Sequence, residues 1–357
     1  MIPLYKPYMP DHPLLDQILA SGQLAYGEYS REFERRLGEY IGEHKVLATN
    51  SFNMSIAVVI SVLGINPGDE IIVSPMACLA STQPYSTNGI KVKWADIDPH
   101  TGTLDPDSVR ATIDSKTKAI VHNHFCGYPG YIDEINEIGR EHGIPVIDDG
   151  IEAFGSRYKG KTIGNCGTDI TIFSFQAVRV PNTIDGGAVF FKDETLYNKA
   201  RLVRDCGIDR SIFRDEIGEI NKNCDITLRG HSATISNVNS YLGICQMDHL
   251  DVLLNSQRNA ADYWMETLKY DKGIDIIGRE DIAPNYWVFG TLTDKKREKI
   301  EEYRQKGWYA SGVHTNNSIY SVFGNKPMLP GVEEFDSRFM ALPSGWWVEE
   351  CIRNDGR

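Results

Sequence analysis

Short β-rich runs alternate with helical patterns between residues 50 and 192. The strand candidates are EIIVS (70–74), IKVKWADI (90–97), KAIVHN (118–123), IPVID (144–148), ITIFSF (170–175) and GAVFF (187–191). Helix candidates at 53–63, 105–112 and 131–142 lie between them. Such alternation is typical of βαβ units, whose crossover helices cover both faces of a mostly parallel, buried sheet. The sequence therefore predicts an α/β protein.

Size and charge narrow the class further. A chain of 357 residues can form one large and one smaller domain, and its net charge of −12 disfavours binding to nucleic acid or to anionic membranes. The seven cysteines are scattered and never form C-x-x-C, which indicates free thiols in a reducing cytoplasm. The N-terminus lacks a signal-peptide pattern, and the longest apolar run, MSIAVVISVLGI, is too short to cross a bilayer. We expect a soluble, cytoplasmic protein.

The second half of the chain has a different pattern of predicted elements. Residues 236–270 predict one long helix or a helix pair, because apolar residues recur at intervals of three and four. Short strands, a charged helix and a tail bearing proline and glycine follow. We predict an N-terminal arm (1–29), a large α/β domain (30–250) and a small C-terminal α+β domain (251–357).

Two polar clusters follow predicted strands, and parallel sheets bind ligands beyond the carboxyl ends of their strands. Ser51 and Asn53 can cap a helix whose free N–H groups could hold a phosphate, although a cap needs no ligand. Asp148 and Asp149 end a buried strand, where an acid requires a cationic or hydrogen-bonding partner. That partner could be the ring nitrogen of a cofactor, a structural arginine or a helix N-terminus.

A third cluster lies in VHNHFCGYPG. If the strand continues, its period of two puts His122, His124 and Cys126 on one face, with ligand chemistry suited to zinc. The same residues can line a packed strand end with internally bonded imidazoles. We expect no metal, because no fourth ligand is visible at short spacing.

Motifs along nearly the whole chain resemble the DegT/DnrJ/EryC1/StrS sugar aminotransferases. They are IPLYKPYMP, SGQLAYGEYSREFERRLGEYIG, LGINPGDEIIVSPMACLAST, VKWADIDPHTGTLDP, TKAIVHNHFCGYPGYIDEI, IPVIDDGIEAFGSRYKGKTIGNCGTDITIFSF, Gly186–Gly187, SNVNSYLGICQMDHLD and the C-terminal SGVHTNNSIYSVFG…LPGVEEFDSRFMALPSG. The resemblance implies the aspartate-aminotransferase (type I PLP) fold, a nucleotide-linked or related sugar as substrate, and a homodimer whose subunits complete each other's sites. It also implies bound pyridoxal or pyridoxamine phosphate (PLP or PMP).

The resemblance assigns roles by position. Asp149 would face the pyridinium nitrogen and keep it protonated, and Ser174 would bind the phosphate. Glu152 occupies the position that usually holds Gln or His beside the phenolic oxygen. An acid there faces a phenolate, which is unfavourable unless one of the two groups is protonated.

The chain departs from the family pattern at the Schiff-base lysine. The family usually reads S-F-H-x-x-K, whereas this chain reads Ser-Phe-Gln-Ala-Val-Arg, which puts Gln176 at the histidine and Arg179 at the lysine. Aldimine formation needs a neutral amine, and a guanidinium stays protonated. We therefore expect Arg179 to act as a fixed cation for a phosphate or carboxylate, and any PLP or PMP to bind non-covalently.

Other pocket positions differ from the pattern too. The family's Ser-Gly-Thr phosphate cup corresponds to Ser51, Phe52 and Asn53, and its ring-stacking aromatic corresponds to Cys78. Residues that the neighbouring subunit usually contributes correspond to Ser232 and Thr234, within a partner segment near 225–236.

Four hypotheses about function follow. The chain could be an enzyme acting on a nucleotide-linked sugar with loosely held PLP or PMP, by analogy with lysine-free, PMP-dependent 3-dehydratases, although it lacks their histidine base. It could be a non-catalytic, ligand-binding subunit. It could be a transaminase that uses Lys159 or Lys161 instead. It could also catalyse a PLP-independent reaction around Arg179, Asp149 and His124.

Overall fold

The computed structural model describes residues 1–324 and 326–354. Its β-strands, in chain order, are β1 (Val46–Thr49), β2 (Glu70–Val73), β3 (Lys91–Trp94), β4 (Thr117–Asn123), β5 (Val146–Asp149), β6 (Arg157–Tyr158), β7 (Lys161–Thr162), β8 (Ile170–Ser174), β9 (Gly187–Phe191), β10 (Asp275–Ile276), β11 (Ile282–Ala283), β12 (Phe289–Leu292) and β13 (Phe339–Leu342). The α-helices are α1 (Leu15–Ser21), α2 (Glu28–Ile41), α3 (Phe52–Leu63), α4 (Leu79–Thr87), α5 (Pro106–Thr112), α6 (Ile132–His142), α7 (Glu194–Arg204), α8 (Asn237–Asp248), α9 (Leu250–Leu268), α10 (Lys296–Gln305), α11 (Pro330–Arg338) and α12 (Trp346–Asn354). Short 3₁₀ turns lie at Phe125–Gly127, Asn317–Ile319 and Ser321–Phe323.

The main sheet has seven strands in the order β1-β9-β8-β5-β4-β2-β3. β3, β2, β4, β5 and β8 pair in parallel, while β9 runs antiparallel to both β8 and β1. The inner strands are almost wholly buried, because helices cover both faces. The predicted mostly parallel α/β sheet is confirmed.

Most of the predicted elements appear with small shifts at their ends. The strand predicted at 90–97 is shorter and ends at Trp94, because the Asp96 carboxylate turns to accept the N–H groups of Gly331 and Val332 at the start of α11. The helical region predicted at 236–270 is a pair, α8 and α9, with a break at His249.

A smaller sheet, β10-β12-β13, belongs to the C-terminal part of the chain. It packs with α9, α10 and α12 around a separate apolar cluster that includes Trp264, Trp308 and Trp347. The predicted boundary at residues 250 and 251 falls at the start of α9, and the division into domains stays a prediction.

The N-terminal segment is bound along its length to distant parts of the chain. The Ile2 N–H donates to the Gly307 carbonyl, and the Tyr8 carbonyl accepts from Asn182 and Gln246. These bonds carry Tyr5 to the carboxyl edge of the main sheet, where the candidate site lies. Among the described residues, no helix is both long and apolar enough to cross a membrane.

Candidate functional site

Asp149 ends β5 at the centre of the main sheet and is buried. Its Oδ1 accepts the Ile151 N–H at 3.0 Å, and its Oδ2 accepts the Asn123 side-chain amide at 3.1 Å. Burial raises the pKa of the Asp149 carboxyl, and these bonds offset only part of that rise. Asn123 Oδ1 has no hydrogen-bond partner among the described residues, so this strand end retains an unused buried acceptor.

Glu152 lies in the turn after β5 and is 3% exposed. Its Oε2 accepts the backbone N–H of Cys126 at 2.9 Å, and its Oε1 lies 2.7 Å from His314 Nε2. Burial alone would raise the pKa of this carboxyl, but His314 and Arg179 hold it below its usual value. Glu152 is therefore a buried carboxylate with a fixed orientation.

Arg179 lies in the loop between β8 and β9 and is 6% exposed. Its Nη1 lies 3.4 Å from Glu152 Oε1, and its guanidinium carbon lies 4.3 Å from the centre of the Trp287 ring. The loop is held against Trp287, whose indole N–H donates to the Val178 carbonyl at 2.9 Å. Arg179 Nε and Nη1 have no hydrogen-bond acceptor among the described residues, which leaves two buried donors for an anionic ligand.

The N-terminal segment completes this cluster. The Tyr5 ring stacks on Trp287 with centroids 4.5 Å apart, and Trp287 lies nearly parallel to His314 at 6.3 Å. Burial, with Cys126 and Glu152 nearby, raises the pKa of the Tyr5 hydroxyl. Because these rings exclude water, they strengthen the electrostatic interactions around Arg179.

Sequence reasoning missed Tyr5, Trp287 and His314. These residues come from three segments far apart in the chain, and no local motif distinguishes them. The available signal for Tyr5 and His314 was their position inside stretches that carry the family resemblance, whereas Trp287 lies outside those stretches.

The residues proposed as possible zinc ligands separate into two groups. His122 Nδ1 lies 3.2 Å from Asp148 Oδ1, and His124 Nε2 lies 3.5 Å from the same oxygen, with all three side chains buried. Strand β4 ends at Asn123, and Cys126 adopts a left-handed conformation (φ 53°) in the following turn. Cys126 therefore lies beside Glu152 and His314, away from the two imidazoles, because the strand does not continue.

Each group brings potential metal-ligand atoms within 4.8 Å of one another. In the first, burial lowers the pKa of His122, and the two imidazoles hold that of Asp148 well below its usual value although burial opposes this. Gly130 donates its N–H to His124 Nδ1 at 3.2 Å, which places the His124 proton on Nε2, facing Asp148. Among the described residues, His122 Nε2, His124 Nε2 and Asp148 Oδ2 have no hydrogen-bond partner, so these bonds satisfy only part of the buried group.

The candidate phosphate-binding residues lie at the start of α3 and near the end of β8. Ser51 caps α3, and its Oγ accepts the Met54 N–H at 3.2 Å. Phe52 packs in the core and Asn53 is exposed. Ser174 is buried at the end of β8 and its Oγ accepts the Gln176 N–H at 3.4 Å.

The remaining predicted residues differ in burial and in hydrogen-bond partners. Cys78 precedes α4 and is half-buried, and burial and the charge of Glu152 raise the pKa of its thiol. Gln176 is half-buried, and its carbonyl accepts the Arg179 N–H at 2.8 Å. The Ser232 carbonyl accepts from the Asn50 side chain at 3.1 Å, and Thr234 bridges to Thr49.

The two lysines considered as substitutes lie in an exposed hairpin. Lys159 follows β6 and its ammonium is 2.7 Å from Asp133 Oδ2, while Lys161 is exposed in β7. Both are part of the surface turn that their sequence suggests.

The donors and acceptors fit a cofactor held without a covalent bond. Asp149 offers a carboxylate at a strand end, and Arg179 offers two N–H groups, at Nε and Nη1, that have no hydrogen-bond acceptor among the described residues and suit a phosphate or carboxylate. A primary amine is missing from this set. The residues present therefore fit non-covalent binding of PLP or PMP and do not fit an internal aldimine.

Comparison with known proteins identifies what the chain resembles. The model of the DegT/DnrJ/EryC1/StrS aminotransferase family matches residues 11–347. GDP-perosamine synthase from Escherichia coli O157:H7 is 29% identical, with 97% of this chain and 91% of that protein covered. Spore coat polysaccharide biosynthesis protein SpsC from Bacillus subtilis (strain 168) is 28% identical, covering 92% of this chain and 87% of its own. The crystal structure of sugar aminotransferase CalS13 from Micromonospora echinospora superposes with a TM-score of 0.91 at 27% identity, covering 99% of this chain and 97% of that one.

Proposed function

We propose that this chain, which belongs to the DegT/DnrJ/EryC1/StrS aminotransferase family, acts on a nucleotide-linked sugar in glycan biosynthesis without forming an internal aldimine. Support for the sugar comes from relatives named for perosamine synthesis and for a spore coat polysaccharide. Support for the altered chemistry comes from the residues around Asp149.

The observation that carries the proposal is the environment of Arg179. Its guanidinium is buried between the Glu152 carboxylate and the Trp287 ring. A guanidinium keeps its proton in such a place and cannot attack an aldehyde. In this proposal Arg179 binds an anionic group of the cofactor or substrate through Nε and Nη1.

The neighbouring residues orient Arg179 and exclude water. Glu152 neutralises part of its charge and is itself held by the Cys126 N–H and by His314. Tyr5 and Trp287 cover the cluster. When bound, PLP or PMP would supply an electron sink, with Asp149 as the partner of its ring nitrogen.

The same observation favours a second candidate, a non-catalytic ligand-binding subunit. The ion pair and ring stack would hold a ligand, and a guanidinium lacks the amine chemistry of the lysine that the family resemblance implies at this position. We also propose a homodimer whose partner segment near 225–236 completes the site, as the family resemblance implies.

Borohydride trapping tests the absence of an aldimine. The purified protein is incubated with PLP, treated with borohydride and digested, and the peptides are analysed by mass spectrometry. We expect no reduced adduct and no visible aldimine absorbance, because a guanidinium at position 179 cannot form an imine with PLP. A pyridoxyl-lysine in the native protein, or efficient amino transfer to a keto sugar, would refute the proposal.

Restoring the amine gives the matched control. In Arg179→Lys the new ammonium faces Glu152, whose negative charge favours the protonated, unreactive form. We expect coloured adduct to form poorly in Arg179→Lys and better in the double variant Arg179→Lys/Glu152→Gln. Arg179→Met serves as a control that carries no amine. If both lysine variants bind PLP without an adduct, the pocket has lost aldimine geometry and the ligand-binding candidate gains.

Binding separates the two candidates further. Co-purified small molecules are identified by mass spectrometry, and nucleotide-linked keto sugars are then offered with PMP. Conversion of the sugar supports the enzyme, whereas saturable binding without conversion supports the ligand-binding subunit.

A further inference from the structure

A polar cavity lies where α2 faces the end of α7 and the loop that follows it, and neither Asp149 nor Arg179 is in its lining. Its volume is about 410 Å³. Four arginines line it together with the ring of Tyr26, namely Arg31, Arg201, Arg204 and Arg210. We call it the arginine cavity. So many cations around one cavity stand out in a chain whose net charge is −12.

Two of the four arginines already have acidic partners. Arg204 is buried, contacts the Glu34 carboxylate and donates to the Ala48 carbonyl. Arg210 holds Asp205 in a two-point contact, with both N···O distances 2.6 Å. These ion pairs hold the wall of the cavity and neutralise the charges of Arg204 and Arg210. The uncompensated positive charge therefore comes from the other two arginines.

Arg31 and Arg201 are exposed and form no ion pair within residues 1–324 and 326–354. Asp209 is the other acid in the lining, and it accepts the backbone N–H and the hydroxyl of Ser211. The lining arginines therefore outnumber the acids even when Glu34 is counted. The cavity retains a net positive charge.

A buried donor also lacks an acceptor here. Arg204 Nε has no hydrogen-bond partner among the described residues, although the side chain is more than nine-tenths buried. An unsatisfied N–H on a buried guanidinium is costly, and an anionic oxygen would satisfy it. The Arg204 guanidinium is kept in place by the Tyr26 ring, whose centre lies 4.7 Å away.

The C-terminus of α7 does not oppose an anion as strongly as its dipole suggests. The Val203 carbonyl accepts the His231 N–H at 2.7 Å, and the Arg204 carbonyl accepts the Ala233 N–H at 3.0 Å. Carbonyls at this end are thus already bonded, so the negative pole is partly neutralised.

We propose that the arginine cavity binds a diphosphate group. Several guanidiniums around one cavity suit the many oxygens of a diphosphate, which can accept fork-like contacts from each. The source could be free pyrophosphate or a nucleoside diphosphate. The second source rests on the proposed function, because a nucleotide-linked sugar carries this group.

Isothermal titration calorimetry with inorganic pyrophosphate tests the proposal. We expect Arg31→Ala and Arg201→Ala each to weaken binding about 3- to 10-fold, and the double variant at least about 10-fold, as charge-assisted hydrogen bonds are lost. Binding should also weaken with added salt, since both arginines are exposed. Circular dichroism checks that the variants fold.

Arg140→Ala is the matched control, because Arg140 is an exposed arginine on α6 and is absent from the cavity lining. An equal loss in this variant would show unspecific charge attraction and overturn the proposal. Unchanged affinity in the Arg31/Arg201 double variant would overturn it as well.

Two further experiments identify the source of the diphosphate and separate this proposal from the proposed function. A nucleoside diphosphate that binds at least tenfold more tightly than pyrophosphate, with the same sensitivity to Arg31 and Arg201, assigns a nucleotide ligand. Equal affinities assign the diphosphate alone. If Arg179→Met abolishes pyrophosphate binding and the cavity variants do not, the anion binds at Arg179. That result would refute the arginine cavity and leave the proposed function standing.

Discussion

Removing the charge of Arg179 should destabilise the protein, because the variant leaves Glu152 as a buried carboxylate with fewer partners. Breaking a buried ion pair by removing one partner typically costs about 3–5 kcal/mol, and a desolvated cation–π contact is worth up to about 2 kcal/mol. Glu152 keeps its bonds to Cys126 and His314, which places the cost at the lower end. We expect Arg179→Met to lower the free energy of unfolding by about 3 kcal/mol.

A double-mutant cycle with Glu152→Gln isolates the ion pair. Each single variant leaves one partner buried without the other, whereas the double variant leaves neither charge. We therefore expect the double variant to lose about 1–2 kcal/mol less than the sum of the singles, measured by urea unfolding at pH 7. Arg140→Met is the control and should stay within about 0.5 kcal/mol of the parent. Additivity within about 0.5 kcal/mol would show that Arg179 and Glu152 are not coupled, and the account of the site would fail.

Two further predictions concern the paired acids at the end of β5. The imidazoles hold the pKa of Asp148 below its unfolded value near 3.9, so its stabilisation is present above that pH and is lost as pH falls below about 4. Urea unfolding of Asp148→Asn should show a flatter decline below pH 4 than the parent, and an unchanged slope would contradict this. The pKa of Asp149 is raised by burial, so its charge opposes folding at neutral pH. Asp149→Asn should therefore unfold at higher urea at pH 7, since Asn123 can turn its unused Oδ1 to the new amide, and this gain should shrink as pH falls toward 4.

The pattern of strands and helices was predictable because each depends on local sequence. Apolar β-branched runs such as ITIFSF have too few polar residues for a surface strand, and β8 is buried throughout. The helix predicted at 105–112 begins one residue later, at Pro106, and the Asp105 side chain caps it by accepting the Asp107 N–H. Strand ends were less predictable, because distant partners decide them, as the α11 N–H groups do for Asp96.

The sequence predicted individual site residues but not which distant residues pack against them. Asp149 could be named because it ends a recognisable strand, whereas Glu152 and Arg179 could be named only from the family resemblance. His314 and Trp287 could not, since the contact of His314 with Glu152 and that of Trp287 with Arg179 depend on how the C-terminal part of the chain folds back. The period-two argument for Cys126 failed for a related reason, because a left-handed residue ends the alternation.

The contacts of Arg179 indicate that its surroundings differ from those that a Schiff-base lysine needs. A lysine that forms an imine must lose its proton, so its surroundings must tolerate the neutral amine. Glu152 does the opposite, because a buried carboxylate near the cation favours the charged form. Trp287 adds to this preference through its ring face. Glu152 and Trp287 together stabilise a permanent positive charge, and His314 holds the Glu152 carboxylate in place, so a site organised around such a charge selects anions. We therefore expect imine chemistry to recover better when Glu152 is changed along with Arg179 than when Arg179 is changed alone.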